Sequence, residues 1–107
     1  MQKIYSIHTS VALLSDAKRL ADGLMQQRCC ACVQITGAGL SIYRWQGAIE
    51  QAEEYYLNIK TNKACKDRVT DYLQQHHAYD VPEITWSIQE TTQQYAAWLA
   101  QQLRKEI

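Results

Sequence analysis

A pair of long strand-forming segments around Gln46-Gly47 constrains the fold of this chain more than any other sequence feature. Residues 30–45 are mainly apolar, and Gly37 and Gly39 within them indicate a bulge or bend. Residues 49–61 alternate apolar with polar side chains, and Gln46-Gly47 suits a tight turn between the two segments. The sequence therefore predicts a hairpin with arms of about a dozen residues, against ~5–6 for an ordinary strand.

Arms of that length protrude beyond the rest of a sheet, and the protruding part of this hairpin is apolar. A long apolar edge promotes aggregation unless another chain covers it. We therefore predict that the protein forms an oligomer through the hairpin. The side chains that this interface is expected to cover are Ile42, Tyr43, Trp45 and Ile49.

The remaining segments carry ordinary signals for strands and amphipathic helices, which gives the order β-α-β-β-α-β-α. This order predicts an α+β, ferredoxin-like β-α-β-β-α-β fold with an antiparallel sheet, a long protruding central hairpin and an extra C-terminal helix. The first strand is expected at residues 3–9 and the fourth at residues 83–88. The predicted helix boundaries are Ser15 and Arg28 for the first helix, Thr61 or Asn62 for the second, and Thr91 or Thr92 for the third.

Length, composition and charge point to one globular domain that covers residues 1–107. Of the 107 residues, 47% are hydrophobic and 21% are charged, as in ordinary packed domains. The 11 basic side chains balance the 11 acidic ones, so the net charge is zero. That balance argues against nucleic acid and against a membrane surface as partners, since both attract basic patches.

The chain shows no targeting or membrane-spanning pattern. Residues 1–10 lack a signal-peptide core, and the longest aliphatic run, residues 11–14, is far shorter than the ~20 residues of a membrane helix. Adjacent cysteines are poor disulfide partners, so we expect reduced thiols and a cytoplasmic protein. The cysteines concerned are Cys29, Cys30, Cys32 and Cys65.

Four segments of the chain carry motifs that resemble those of one known protein family. Residues 76–84, His-His-Ala-Tyr-Asp-Val-Pro-Glu-Ile, resemble the family's His-Pro-Tyr-Glu-Val-Pro-Glu-Ile signature. Residues 41–50 are similar to its long hairpin, and residues 28–33 to its Arg-Leu-Ala-Ala-Cys-Val segment. Residues 95–99 fit the Tyr-x-x-Trp of its last helix. Together these segments resemble the CutA family of divalent-cation tolerance proteins, and the match extends in register from about residue 4 to residue 103.

The resemblance implies a homotrimer of ferredoxin-like subunits, similar in plan to the PII signalling proteins. It also implies that the protein binds copper or another divalent metal and takes part in metal tolerance. No firmly established reaction comes with the family, and the chain lacks nucleotide-binding, nucleophile-elbow and RNA-binding motifs. We therefore expect a binding protein and not an enzyme.

The chain departs from the family pattern at positions that bear on metal binding. His8 lies where some members carry a cysteine that is a proposed copper ligand, and residues 9–11 replace the usual Thr-Ala-Pro. Ala78 replaces a proline and Asp80 a glutamate. Imidazole in place of thiolate favours Cu(II), Zn or Ni over Cu(I).

His8, His76 and His77 are the whole histidine complement. In the predicted topology the first strand and the second helix end at the same edge of the sheet, which brings the three histidines to one end of the subunit. We therefore predict a metal site formed by His8, His76 and His77, with Glu83 nearby. In the alternative interpretation His76 packs in the core, in phase with Leu73, and His77 hydrogen-bonds locally.

Lys60, Tyr79 and Glu83 match family positions that are unusually polar for a core. One interpretation is a cleft between subunits in which they bind a small anion or metabolite, as a PII-like signalling module with an unidentified protein partner would. The other is that Lys60 forms an interface salt bridge. A trimeric scaffold without a ligand is a third hypothesis. Cys32 is expected to be a buried apolar residue, with a metal or redox role as the alternative.

Overall fold

The computed structural model describes residues 2–105, which form four strands and three helices in the predicted order. Every element has the type that the hydrophobic periodicity predicted. The elements are β1 (Gln2–Val11), α1 (Leu14–Gln26), β2 (Cys32–Trp45), β3 (Ala48–Thr61), α2 (Lys66–His76), β4 (Thr85–Thr91) and α3 (Gln93–Gln102).

The four strands form one antiparallel sheet in the order β2-β3-β1-β4. This is the ferredoxin-like order, so the α+β fold predicted from the sequence is confirmed. The long hairpin is present: β2 and β3 have 14 residues each and pair from Cys32 opposite Lys60 to Trp45 opposite Ala48. Strand β1 then pairs with the inner half of β3 and with β4.

Two irregularities shape the hairpin, and both lie where glycines predicted them. The register shifts between Thr36 and Gly39, which is the bulge expected in the first arm. At the tip, Gln46 and Gly47 have φ angles of 51° and 81°, the positive values that a type I′ turn requires at both central residues. The tight turn therefore joins the arms as predicted.

The hydrophobic core lies between one face of the sheet and helices α1 and α2. Alternate residues of the two central strands point into it, and the apolar stripes of the two helices pack over them. Each fully buried aliphatic side chain contributes roughly 1.5–3 kcal/mol relative to an exposed one. The fully buried aliphatic side chains are Ile7, Val11, Leu20, Leu24, Leu57, Ile59, Val69, Leu73 and Leu99.

The opposite face of the sheet is largely polar. Ser6 and His8 of β1 point to this face, because they alternate with the core residue Ile7. Their partners on β3, Lys60 and Asn58, lie on the same face. We call this surface the polar face; it carries two of the residues that the sequence analysis singled out.

Helix caps differ in part from the prediction. Ser15 does not cap α1: the N-cap is Leu13, two residues earlier, and it makes no side-chain cap hydrogen bond. Helix α2 begins at Lys66, and the Asn62 side chain accepts a hydrogen bond from the Cys65 amide one turn before it (3.2 Å). Thr92 caps α3 by accepting from the Tyr95 amide at 3.2 Å, as predicted.

Candidate functional site

His8 lies on the polar face between two cross-strand neighbours. Asn58 of β3 and Thr85 of β4 are its direct partners, so their side chains flank the imidazole on the same face. The Oδ1 atom of Asn58 is buried and has no hydrogen-bond partner among the described residues. The Thr85 hydroxyl donates a hydrogen bond to Glu83 Oε2 at 3.0 Å, which holds the Glu83 carboxylate beside Thr85.

His77 lies on the other face of the sheet. Its Nδ1 accepts a hydrogen bond from the Tyr79 amide at 3.0 Å, so the ring proton is on Nε2, which donates to the Thr9 hydroxyl at 2.9 Å. Burial lowers the pKa of His77 below its ordinary value, which favours this neutral form. Since both ring nitrogens are engaged, His77 can bind a metal only after one of these contacts breaks.

His76 is exposed at the end of α2. Its ring packs against that of Tyr72, with 4.2 Å between centroids, and its carbonyl accepts from Arg19 at 3.1 Å. The interpretation of His76 as a core residue is therefore wrong, because the side chain points to solvent.

The three histidines lie at the same end of the protomer, but their rings do not converge. His77 contacts Thr9, whereas His8, the residue before it, points to the opposite face. Within residues 2–105 no three His, Cys, Asp or Glu side chains are placed to hold a metal ion. The site of His8, His76 and His77 therefore stays a prediction, and the protomer as described does not form it.

A cavity of about 730 Å³ lies beside the hairpin, where the loop between α2 and β4 approaches it. Tyr79 and Glu83, two of the residues predicted to line a cleft, both line this cavity. Glu54 of β3 is 8% exposed and accepts a hydrogen bond from the Tyr79 hydroxyl at 2.7 Å. Burial and then this bond raise the pKa of Tyr79, which therefore stays protonated as the donor.

The cavity is acidic. Its lining includes the carboxylates of Glu54, Asp80 and Glu83 and no lysine or arginine. Lys60, the third residue predicted for a cleft, lies further along β3, where its Nζ donates to the Ser6 hydroxyl at 3.1 Å. Lys60 forms no ion pair with any of the described residues, and its salt bridge across an interface stays a prediction.

Sequence reasoning missed Glu54 as a site residue. The sequence shows Glu54 only as an acidic residue in the alternating stretch of β3. Glu53, the residue before it, is exposed on the opposite face. A sequence does not show which of two adjacent glutamates is buried. The contact with Tyr79 distinguishes Glu54 from Glu53, and it joins residues 25 positions apart.

Two of the four thiols, Cys29 and Cys30, are buried at the junction between α1 and β2. Cys29 and Cys30 are 1% exposed, and burial raises the pKa of the first to about 11 and of the second to about 12. Cys32 is half-buried opposite Lys60, so the expectation that it is a fully buried residue is met only in part. All four cysteines are free thiols in the structure.

Sheet order, hairpin and C-terminal helix define a ferredoxin-like α+β protein with an extended β2–β3 arm. Residues 5–102 match the CutA1 divalent ion tolerance protein family, and the chain belongs to that family. It is 34% identical over 89 residues to the divalent-cation tolerance protein CutA of Pectobacterium atrosepticum, covering 82% of this chain and 81% of that protein. The resemblance inferred from the sequence motifs is thus confirmed.

The fold agrees with solved CutA1 structures. The crystal structure of CutA1 from Oryza sativa superimposes with a TM-score of 0.91 at 28% identity and covers 97% of this chain and 96% of that one. The chloroplastic CutA protein of Arabidopsis thaliana is 31% identical over 99 residues, which are 92% of this chain and 54% of that protein. The chain therefore spans about half the length of that relative.

Proposed function

We propose that the protein is a homotrimer that binds a divalent transition metal and acts as a buffer or sensor in divalent-cation tolerance, not as a catalyst. Cu(II) is the metal we expect first, with Zn and Ni as alternatives, because the candidate ligands are imidazole and oxygen. Membership of the divalent ion tolerance family supports a general role in divalent-cation tolerance. The specific ligand set is argued from the polar face.

One observation carries the metal proposal: His8 lies beside the orphaned Oδ1 of Asn58. A buried acceptor without a donor is unfavourable by about 1–3 kcal/mol, and a cation held by His8 would satisfy it. The Glu83 carboxylate, which Thr85 orients, supplies a nearby negative charge. We infer that His8 is the first ligand, and that His76 and His77 join only if the segment that follows α2 rearranges.

The hairpin supports assembly. Leu40, Ile42 and Ile49 are each more than 60% exposed and share one face of the hairpin, so a protomer alone leaves an apolar strip in water. Packing of three such hairpins would cover it, and the same assembly would bring further side chains to the polar face.

A PII-like signalling role is the second candidate function. The observation that favours it is the cavity beside the hairpin, which contains both Tyr79 and Glu83. Lys60 does not line this cavity, and an anionic metabolite would meet three carboxylates and no lysine or arginine there. A protein partner and a cytoplasmic location remain proposals; free thiols favour a reducing compartment. Among residues 2–105, no helix is both long and apolar enough to span a membrane.

A calorimetric titration of the metal-free protein with Cu(II) tests the metal proposal. We expect submicromolar binding at a whole number of sites per subunit, at least tenfold weaker in His8→Ala and in Asn58→Leu. The double variant His76→Ala/His77→Ala decides whether that pair belongs to the same site. Glu90→Gln, an exposed carboxylate on β4, is the control and should bind as the wild type does. Weak binding that His8→Ala leaves unchanged would refute the proposal.

A further inference from the structure

Sulfur atoms of two kinds meet at the junction between α1 and β2. The Cys30 thiol donates a hydrogen bond to the thioether Sδ of Met25, and the two sulfur atoms are 3.6 Å apart. Three further thiols, those of Cys29, Cys32 and Cys65, lie near enough for their charges to raise the pKa of Cys30. Thiolate and thioether are the soft ligands among protein side chains, so this junction is a soft environment for a metal ion.

The contact between Cys30 and Met25 differs from the contacts of the neighbouring thiols. Cys29 and Cys65 donate to backbone carbonyl oxygens, of Leu24 at 3.5 Å and of Arg104 at 3.8 Å. Cys30 donates to a thioether sulfur, which is a weak acceptor. A metal ion that replaces the proton between the two sulfurs therefore displaces one weak hydrogen bond and gains two sulfur ligands.

Met25 gives an ion access to the buried thiol. Cys30 is 1% exposed, whereas Met25, at the end of α1, is 45% exposed. Metal–sulfur bonds are about 2.3 Å long, so two sulfurs that share an ion lie at most about 4.6 Å apart, roughly 1 Å further than the sulfurs of Cys30 and Met25. The methionine side chain has three rotatable bonds, and its rotation supplies this separation without a shift of the backbone.

Burial decides which charge the ion carries. A monovalent ion and one thiolate form a neutral unit, whereas a divalent ion with the same two ligands leaves a positive charge in apolar surroundings, which is unfavourable. A structural zinc ion also needs four ligands, and within residues 2–105 no three His, Cys, Asp or Glu side chains are placed to hold a metal ion. Two sulfur ligands in a buried position therefore suit a soft monovalent ion.

We infer that Cys30 and Met25 form a binding site for a soft monovalent metal ion, Cu(I) or its analogue Ag(I). The Cys30 thiolate and the Met25 thioether are its two ligands. The thiol proton leaves to solvent when the ion binds, and the oxidation state of the ion does not change. Since burial raises the pKa of Cys30 to about 12, the affinity increases with pH. This site goes beyond the proposed Cu(II) function and shares no residue with it.

Anaerobic titration of the full chain with Cu(I), in competition with the chromophoric chelator bicinchoninate, tests the inference. We expect one Cu(I) per chain, lost in Cys30→Ala and bound at least tenfold more weakly by Met25→Leu. Met25 is exposed and leucine is similar in size, so the second variant keeps the test valid if Cys30→Ala does not fold. Cys32→Ala removes a half-buried thiol of the same segment and is the matched control. Cys32→Ala and His8→Ala should both bind Cu(I) as the wild type does.

Two metal controls complete the experiment. Ag(I) should displace Cu(I) from the chain, whereas Zn(II) at the same concentration should not. Absence of Cu(I) binding, an unchanged affinity in Met25→Leu, equal losses in Cys30→Ala and Cys32→Ala, or displacement by Zn(II) would each overturn the inference. Because His8→Ala separates the two sites, failure here leaves the Cu(II) titration to decide the proposed metal function independently.

Discussion

Adjacent histidines at the end of α2 have different environments. The two ring nitrogens of His77 form hydrogen bonds with the Thr9 hydroxyl of β1 and with the Tyr79 amide. The ring of His76 is exposed to solvent and packs against Tyr72. The helix ends between them, since His77 already has an extended backbone with φ −69° and ψ 143°. The contact with Thr9 shows that the ring of His77 anchors the segment that follows α2.

Acidification should destabilise the protein through His77. Since burial lowers the pKa of this imidazole, the folded chain binds fewer protons than the unfolded chain below pH ~6.5. The associated stability is complete above that pH and is lost as the pH falls through the pKa of the folded state. Urea unfolding at pH 7.5 and 5.5, in metal-free buffer at fixed protein concentration, measures the loss.

The matched pair His77→Gln and His76→Gln identifies the source of this effect. We expect His77→Gln to lose about 1–2 kcal/mol at pH 7.5, from one or two hydrogen bonds, and to depend less on pH than the wild type. His76→Gln should keep the wild-type pH dependence. An unchanged pH dependence in His77→Gln would show that another group titrates.

The thiols at the start of β2 should differ in reactivity. With pKa values raised to about 11 and 12, Cys29 and Cys30 are almost entirely protonated at pH 8, and they are 1% exposed. We expect iodoacetamide to modify Cys32 first and to reach Cys29 and Cys30 only after unfolding in urea. Peptide mass spectrometry resolves the sites. Modification of Cys29 or Cys30 as fast as Cys32 in native protein would contradict this expectation.

At the scale of elements, the hairpin shows what a sequence can predict. Alternation, the turn at Gln46-Gly47 and the glycines at the bulge are local signals, and the structure follows all of them. Position 39 also requires a glycine for packing, because the ring of Tyr56 from β3 lies where a β-carbon would be. Such close approaches involve residues far apart in sequence, and periodicity does not reveal them.

The candidate site was harder to predict for the same reason. Topology brought His8 and the His76-His77 pair to one end of the protomer, yet which face each ring points to depends on strand alternation and on the Thr9 contact. The resemblance to the family motifs identified Tyr79 and Glu83 as site residues, and both line one cavity. Glu54 lines the same cavity, but no sequence pattern identifies it as buried.

The packing of α1 on α2 should be sensitive to Gly23. A β-carbon there would overlap the hydroxyl end of Tyr72, whose ring is held against His76. We expect Gly23→Ala to lose about 1–2 kcal/mol in chemical unfolding, because overpacking outweighs the helix propensity gained, which is itself about 1 kcal/mol. In a Tyr72→Ala background the same change should be neutral or stabilising.

Asp22→Ala, an exposed position on the same helix, is the control for propensity alone and should not destabilise. A loss in Gly23→Ala that persists unchanged in the Tyr72→Ala background would mean that another contact is responsible.

The whole protomer is elongated, with principal extents of 45 × 25 × 21 Å, because the hairpin extends beyond the part of the sheet that the helices cover. Its two faces differ: the cavity face carries Tyr43 and Trp45, and the other carries exposed aliphatic side chains. An isolated protomer would expose both, which is the physical reason to expect assembly.

A charge on the aliphatic face of the hairpin should disrupt that assembly. We expect Ile42→Glu to convert the oligomer to smaller species in light scattering coupled to gel filtration, since a buried unpaired carboxylate at an interface is strongly unfavourable. Ile42→Leu keeps the apolar surface and should assemble as the wild type does. An Ile42→Glu variant that keeps the wild-type mass would place the interface elsewhere.

Native mass spectrometry of the metal-free chain during titration with Cu(II) tests the proposed function most directly, because it counts subunits and bound ions in one spectrum. We predict a species of three chains that acquires a fixed number of copper ions per subunit, with His8→Ala retaining the trimer and losing the copper. A monomeric wild type, or a trimer whose copper content His8→Ala leaves unchanged, would contradict a metal-binding trimer built on the polar face.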